Sequence, residues 1–278
     1  MPAPDDRSLP GPMASATEGG ERRLFFPLMG AAALACTVGY ALPALAGARA
    51  RYLSDRAGAH PAWPAERAQG CAAAALGGWL GIEDRTASGA GCALTFDDGP
   101  HREGTPAVLE ILARERVHAT FFLVGEQVLR NPALAAEIVA AGHGVGLHCH
   151  RHRNLLRLTP GQVREDILRA LGAIEETTGR SPALYRPPYG VPNAAALTLA
   201  RGRGWRTLLW SHWGRDWEAR ATPESIAALL TGGVGAGAVL LLHDADDYSA
   251  PNSWRRTAAA LPRVLDTLAA RGLEPVAP

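Results

Sequence analysis

The chain contains no lysine. All 28 of its basic side chains are arginine, so each carries a permanent charge and Schiff-base lysine chemistry is excluded. A surplus of either sign is also missing: 28 basic residues face 27 acidic ones, for a formal net charge of +1. Without a basic excess the chain is a poor match for a phosphate backbone, and nucleic acid is not an expected partner. Cysteine is scarce, with four in 278 residues. Cys71 and Cys92 would be free to pair outside a cell, although no spacing rule supports it. Length and a 47% apolar content fit one ordinary domain plus accessory segments.

Two local absences shape the N-terminal part. Residues 1–23 have no apolar periodicity and are rich in Pro, Gly, Ser and acidic residues. They cannot bury enough surface to offset the cost of ordering, and a disordered tail is expected. Residues 24–48 carry no charge, and Arg22, Arg23, Arg49 and Arg51 bracket them. As a helix this stretch would reach roughly 37 Å, enough to cross a hydrocarbon core. A single retained transmembrane signal anchor is therefore expected, with the residues beyond it outside the cytoplasm. A buried core helix, or a signal peptide cleaved near Ala44-Leu45-Ala46 to give a secreted product, is the alternative that Pro27 and Pro43 keep open. The flanking arginines are too evenly shared to set an orientation, and Arg22-Arg23 before Leu24-Phe25-Phe26 only faintly resembles a twin-arginine signal.

Residues 49–91 mix Ala, Gly, Pro and Arg without a sustained period and read as a stalk. From Cys92 onward the texture changes to short apolar runs alternating with helical patterns. Strands are expected at 93–96, 119–124, 145–147, 183–185, 206–210, 238–242 and 274–277, and helices at 106–114, 132–141, 161–177, 193–201, 223–230 and 253–270. Such alternation implies an α/β fold with a parallel sheet, here a distorted, incomplete (β/α)7–8 barrel over residues 92–278. Chemistry in such a fold gathers at the C-terminal ends of the strands.

Each strand end carries candidate residues. The first runs into Thr95-Phe96-Asp97-Asp98-Gly99-Pro100, where adjacent carboxylates point different ways; a solvated turn is the bland reading. The third runs into His148-Cys149-His150-Arg151-His152. One helical turn would bring His148 and His152 to the same side, a common way to bind a divalent transition metal, against a chance cluster on a solvated loop. With one aspartate they would leave coordination positions open, the catalytic kind of site. Arg186-Pro187-Pro188-Tyr189-Gly190 sets a guanidinium ahead of a stiff turn, or is only a proline-anchored loop. Trp205, Trp210, Trp213 and Trp217 crowd around Asp216; such a cluster suits a core at least as well as a sugar platform. The apolar run Leu240-Leu241-Leu242 ends in His243-Asp244, where a lone histidine is ordinarily structural.

The ordered set Thr-Phe-Asp-Asp-Gly-Pro, His-x-x-x-His, Arg-Pro-Pro-Tyr-Gly, Asp-Trp and Leu-x-His resembles the five motifs of the polysaccharide deacetylases, the family-4 carbohydrate esterases with a nodulation-factor-deacetylase homology domain. The resemblance runs from Cys92 to about Ala277. It implies a distorted (β/α) barrel that removes N- or O-linked acetyl groups, N-linked foremost, from sugars such as N-acetylglucosamine polymers. Peptidoglycan, chitin-like oligomers, acetylated xylan and a small amide are all open as the substrate. It further implies a divalent metal, zinc foremost with cobalt, manganese or nickel as alternatives, held by Asp98, His148 and His152. By the same resemblance Asp97 is the catalytic base, Arg186 orients it, and the backbone N–H of Tyr189 helps hold the oxyanion. Asp216 tunes His243, the acid, while Trp217 and Leu241 shape the acetyl pocket. Two departures stand out: Trp213 where the family often has Asp, and Cys149, a stray ligand or oxidisable thiol, where it usually has Thr or Ser. A carbohydrate-binding module that has lost turnover, and a membrane-tethered structural protein with incidental histidines, are the competing readings.

Overall fold

The computed structural model describes residues 80–278. The expected tail, the anchor at 24–48 and most of the stalk, Cys71 included, lie outside the described residues. Among the described residues no helix is long and apolar enough to cross a membrane.

The strands are β1 (Ile82–Glu83), β2 (Cys92–Asp97), β3 (Thr120–Leu123), β4 (Gly144–Leu147), β5 (Leu184–Tyr185), β6 (Arg206–Leu208), β7 (His212–Trp213) and β8 (Ala238–His243). They form one eight-stranded sheet in the order β1-β6-β5-β4-β3-β2-β8-β7, with every neighbouring pair parallel. The helices are α1 (Gly104–Glu115), α2 (Gly125–Arg130), α3 (Pro132–Ala140), α4 (Pro160–Thr178), α5 (Ala194–Gly202), α6 (Pro223–Thr231) and α7 (Ser253–Ala270). β6 and β7 sit near opposite ends of the sheet, yet only residues 209–211 separate them. Leu209 N–H donates to the Glu83 carbonyl (2.7 Å) and Ser211 N–H to the Val239 carbonyl (3.0 Å), so this one run draws the two ends together. The result is the distorted, curled (β/α) barrel that the alternation predicts.

Period-two alternation sets what faces inward. Cys92, Leu94 and Phe96 on β2, and Ala238, Leu240 and Leu242 on β8, join the main core beneath the helices. Ala93 and Val239 instead meet Phe122 and Leu208 in a small inner cluster. The same alternation assigns Thr95, Asp97, Leu241 and His243 to the inner face, at its C-terminal mouth. Helix starts follow local capping: Thr159 and Gln162 form a capping box around Pro160, and Thr222 and Ser225 do the same around Pro223.

Four elements depart from the sequence reading. β1 lies inside the expected stalk, and Thr86 N–H donates to the Gly237 carbonyl (2.9 Å), so the sheet begins at Ile82 rather than near Cys92. The expected strand at 274–277 is reduced to a single bridge between Cys92 and Pro275. α2 and β7 have no counterpart among the expected elements, being too short to carry a period.

Candidate active site

The strand ends converge at the mouth. Asp97 closes β2 directly opposite His243 on β8, and the chain then turns with Asp98 at φ 80°. Cys149 and Tyr189 are likewise left-handed, at φ 65° and 60°. Such backbone costs on the order of 1–3 kcal/mol per residue and persists where surrounding contacts fix it, which clusters it at functional sites.

His148 and His152 do come together, with ring centroids 5.2 Å apart. The sequence reading expected a helical turn; the segment is instead a loop, bent at left-handed Cys149. Asp166 on α4 holds it, accepting from the backbone N–H of His150 (2.8 Å) and Arg151 (3.4 Å) and from the Arg153 guanidinium (2.5 Å). His148 Nδ1–H donates to the Arg186 carbonyl (2.8 Å), which leaves its Nε2 as a bare acceptor.

Arg186 is fully buried. Its Nη1 donates to Asp97 Oδ1 (2.6 Å) and Thr95 Oγ1 (2.9 Å), Nε to the Leu208 carbonyl (2.9 Å) and Nη2 to the Leu209 carbonyl (3.0 Å). The guanidinium lies 3.9 Å from the Phe122 ring centroid. Thr95 Oγ1 passes the contact on to the Leu240 carbonyl (2.6 Å). Burial raises the Asp97 carboxyl above the usual carboxylate range, and the guanidinium offsets only part of that rise.

Across the mouth, Asp216 takes two hydrogen bonds from His243, one from its backbone N–H (2.7 Å) and one from Nδ1–H (3.0 Å), and a third from Thr257 Oγ1 (2.8 Å). Burial alone would hold the His243 ring neutral. The carboxylates of Asp216, Asp98 and Asp97 outweigh it and push its pKa up to about 10, so the ring is an imidazolium at neutral pH. Trp217 stands edge-on to that ring at 5.4 Å, and Leu241 is buried on β8 beside Thr95 and Trp213.

Asp98, His148 and His152 bring ligand atoms within 4.8 Å of one another. Asp98 Oδ1 is 3.6 Å from His148 Nε2 and 3.5 Å from His152 Nε2, and it is buried with no hydrogen-bond donor. Burial pushes both imidazoles down to about 3, so these contacts are not ion pairs at neutral pH. Burial likewise raises Asp98 to about 7. An uncapped oxygen facing two neutral rings is a set of lone pairs converging on one point, an arrangement that a divalent cation relieves. The two-nitrogen, one-oxygen donor set fits such an ion with positions to spare.

Not every flagged residue belongs here. Cys149 is buried with its sulfur 3.7 Å from the Tyr185 hydroxyl, burial raises its thiol well above the ordinary range, and it is not in the group whose ligand atoms converge, Asp98, His148 and His152. His150 is buried near Gly125 on α2. Trp213 lies on β7, while Trp210 flanks Arg186 at 5.6 Å. Sequence reasoning missed Thr95, Asp166, Thr257 and Tyr248. Only Thr95, inside the first motif, carried a sequence signal.

A family model described as polysaccharide deacetylase matches residues 84–208, which spans every ligand candidate but stops short of Asp216 and His243. A peptidoglycan-N-acetylglucosamine deacetylase of Bacillus cereus is 36% identical over 182 residues, covering 65% of this chain and 82% of the relative. A chitooligosaccharide deacetylase of a Bradyrhizobium species is 36% identical over 188 residues, covering 65% of this chain and 85% of the relative. Among solved structures, a family 4 carbohydrate esterase from Streptomyces lividans in complex with acetate superposes with a TM-score of 0.61 at 32% identity, covering 68% of this chain and 92% of that one. The chain belongs to the polysaccharide deacetylase family.

Proposed function

We propose that this protein is a metal-dependent hydrolase that N-deacetylates an N-acetylglucosamine-containing glycan of the cell wall or a related polymer, releasing acetate and leaving a free amine. The observation that carries the reading is Asp98 Oδ1, buried without a donor between two neutral imidazoles, with Asp97 and the His243 imidazolium beside it. The names of the relatives supply the substrate class.

Asp98, His148 and His152 hold the ion, zinc by preference of the donor set. When bound, a divalent cation supplies Lewis-acid chemistry, polarising a carbonyl oxygen and acidifying water. Asp97 is the base: Arg186 occupies its Oδ1, so Oδ2, 3.8 Å from His148 Nε2, is the oxygen that takes the proton from the attacking water. As the new C–O bond forms, the backbone N–H of Tyr189, at the left-handed residue of its turn, steadies the developing oxyanion. His243 then donates its Nε2 proton to the departing nitrogen as the C–N bond breaks. Asp216 keeps that proton in place beforehand by stabilising the imidazolium from the other ring nitrogen. Trp217 and Leu241 bound the space for the acetyl methyl. For its location, the 25 uncharged residues at 24–48 support a single-pass anchor with the catalytic domain outside the cytoplasm.

The test is a panel of N-acetylglucosamine oligomers, peptidoglycan and acetylated xylan, reading released acetate and new primary amine together. Equal yields of both from an N-acetylated glycan are expected. Acetate without amine would mean ester cleavage, and neither product with any glycan would leave a carbohydrate-binding module. Cell fractionation tests the anchor: a soluble extracellular chain with a new N-terminus near Gly47 would replace it with a cleaved signal.

A further inference from the structure

His148 and His152 share a role in the proposed ion site but are held in different ways. His148 is oriented by its Nδ1–H bond to the Arg186 carbonyl (2.8 Å), the kind of outer contact that ordinarily fixes a ligating imidazole. Nδ1 of His152 is buried and has no hydrogen-bond partner on another residue. Aromatic rings bracket it instead. Tyr189 meets it edge-on at 4.4 Å, and Tyr248 stacks on it at 4.7 Å with an interplanar angle of 18°.

Tyr248 is itself anchored from both directions. Its hydroxyl donates to Glu126 Oε1 (2.7 Å) and accepts from Gln127 Nε2 (3.3 Å), both on α2. The loop that carries it is stapled at several points. Asp244 accepts from Thr105 Oγ1 (2.5 Å), Asp246 accepts from Asn252 N–H (2.5 Å) and lies 3.3 Å from His101 Nε2, and Ala250 N–H donates to the Trp217 carbonyl (3.1 Å). His101, Asp246 and Asp247 also gather like ligands, but His101 Nδ1 already accepts from Gly104 N–H (2.9 Å). Its remaining nitrogen therefore carries the proton aimed at Asp246, and the cluster is a loop staple.

We propose that Tyr248, through the flat face it lays on His152, is the positioning residue for that ligand, the stack replacing the hydrogen bond that orients His148. Stacking fixes the plane of the imidazole and so aims Nε2 at Asp98 Oδ1, 3.5 Å away. The inference rests on the proposed ion site. It predicts that loss of the ring weakens ion binding even though Tyr248 offers the ion no ligand.

The test is equilibrium titration of the metal-free full chain with Co²⁺ and with Zn²⁺, following the cobalt absorption spectrum and competition by a chelator. Removing an outer partner of a ligand costs about 10–100-fold in affinity, so Tyr248→Leu should weaken binding by that factor and alter the cobalt spectrum, while Tyr248→Phe, which keeps the ring, should stay within about threefold of wild type. Tyr248→Gln answers the same question if the leucine variant is insoluble. A folded Tyr248→Leu chain with wild-type affinity and spectrum would overturn the proposal. So would a phenylalanine variant as weak as the leucine one, since the hydroxyl bond rather than the stack would then matter. His152→Ala keeps the two readings apart: if it too binds as tightly as wild type, the ion site itself is misassigned.

Discussion

Arg186→Met is the perturbation with the most parts of the site behind it. The guanidinium is fully buried and makes four hydrogen bonds, to Asp97, Thr95 and the carbonyls of Leu208 and Leu209. Methionine refills much of the volume over the Phe122 ring but supplies no donor. Removing one partner of a buried ion pair costs about 3–5 kcal/mol, because the other charge is left desolvated. The three neutral acceptors add to that, while protonation of Asp97, already pushed up by burial, limits the total. For a domain of this size each kcal/mol is about 2–4 °C in Tm, so a fall of roughly 6–20 °C is expected in a circular-dichroism melt of the full chain. The pair is isolated by adding Asp97→Leu: with both charges gone, the double variant should be more stable than the sum of the singles by about 2–3 kcal/mol. Strict additivity, or an Arg186→Met melt within about 2 °C of wild type, would refute the buried network as the support of Asp97.

Asp216→Asn should strip His243 of its main stabilising charge and move the alkaline limb of kcat/KM to lower pH, by about 1–3 units. The sign for stability follows: the ring's folded pKa of about 10 exceeds its ordinary 6.5, so its contribution is full below 6.5 and fades as pH rises through 10. Asp216→Asn should therefore destabilise more at pH 6 than at pH 10, and an equal loss at both would refute the pairing. His148→Ala should lose most of the bound divalent ion, measured by elemental analysis of the full chain after gel filtration, and undiminished stoichiometry would remove His148 from the ion site.

Most of the site was legible because its residues sit at strand ends, where a period-two apolar run stops and polar chemistry begins. Asp97, Asp98, His148, Arg186 and His243 are all positioned by this rule, and the structure brings them together. Legibility failed where elements were too short for a period. The two residues of β1 and of β7 carry none, and the barrel is drawn together through β7. It failed also where contacts are remote in sequence. Thr257 reaches Asp216 from α7 across 41 residues, Asp166 holds the His148–His152 loop from α4, and Tyr248 meets His152 across the mouth. The four-residue histidine spacing led to the right neighbours through the wrong local structure, since a left-handed residue at Cys149 can bend a loop to bring the rings together as a helical turn would.

The division of labour between the adjacent carboxylates is the centre of the proposed chemistry, and Asp97→Asn tests it in one sample. Acetate release from an N-acetylglucosamine oligomer and bound divalent ion should be measured on the same preparation. The expected result is a fall of about 10²–10⁴-fold in turnover with the ion retained, because Asp98, His148 and His152 are untouched and only the base is gone. Loss of the ion together with the activity would contradict it and exchange the roles of Asp97 and Asp98, and undiminished turnover would remove Asp97 from the chemistry altogether.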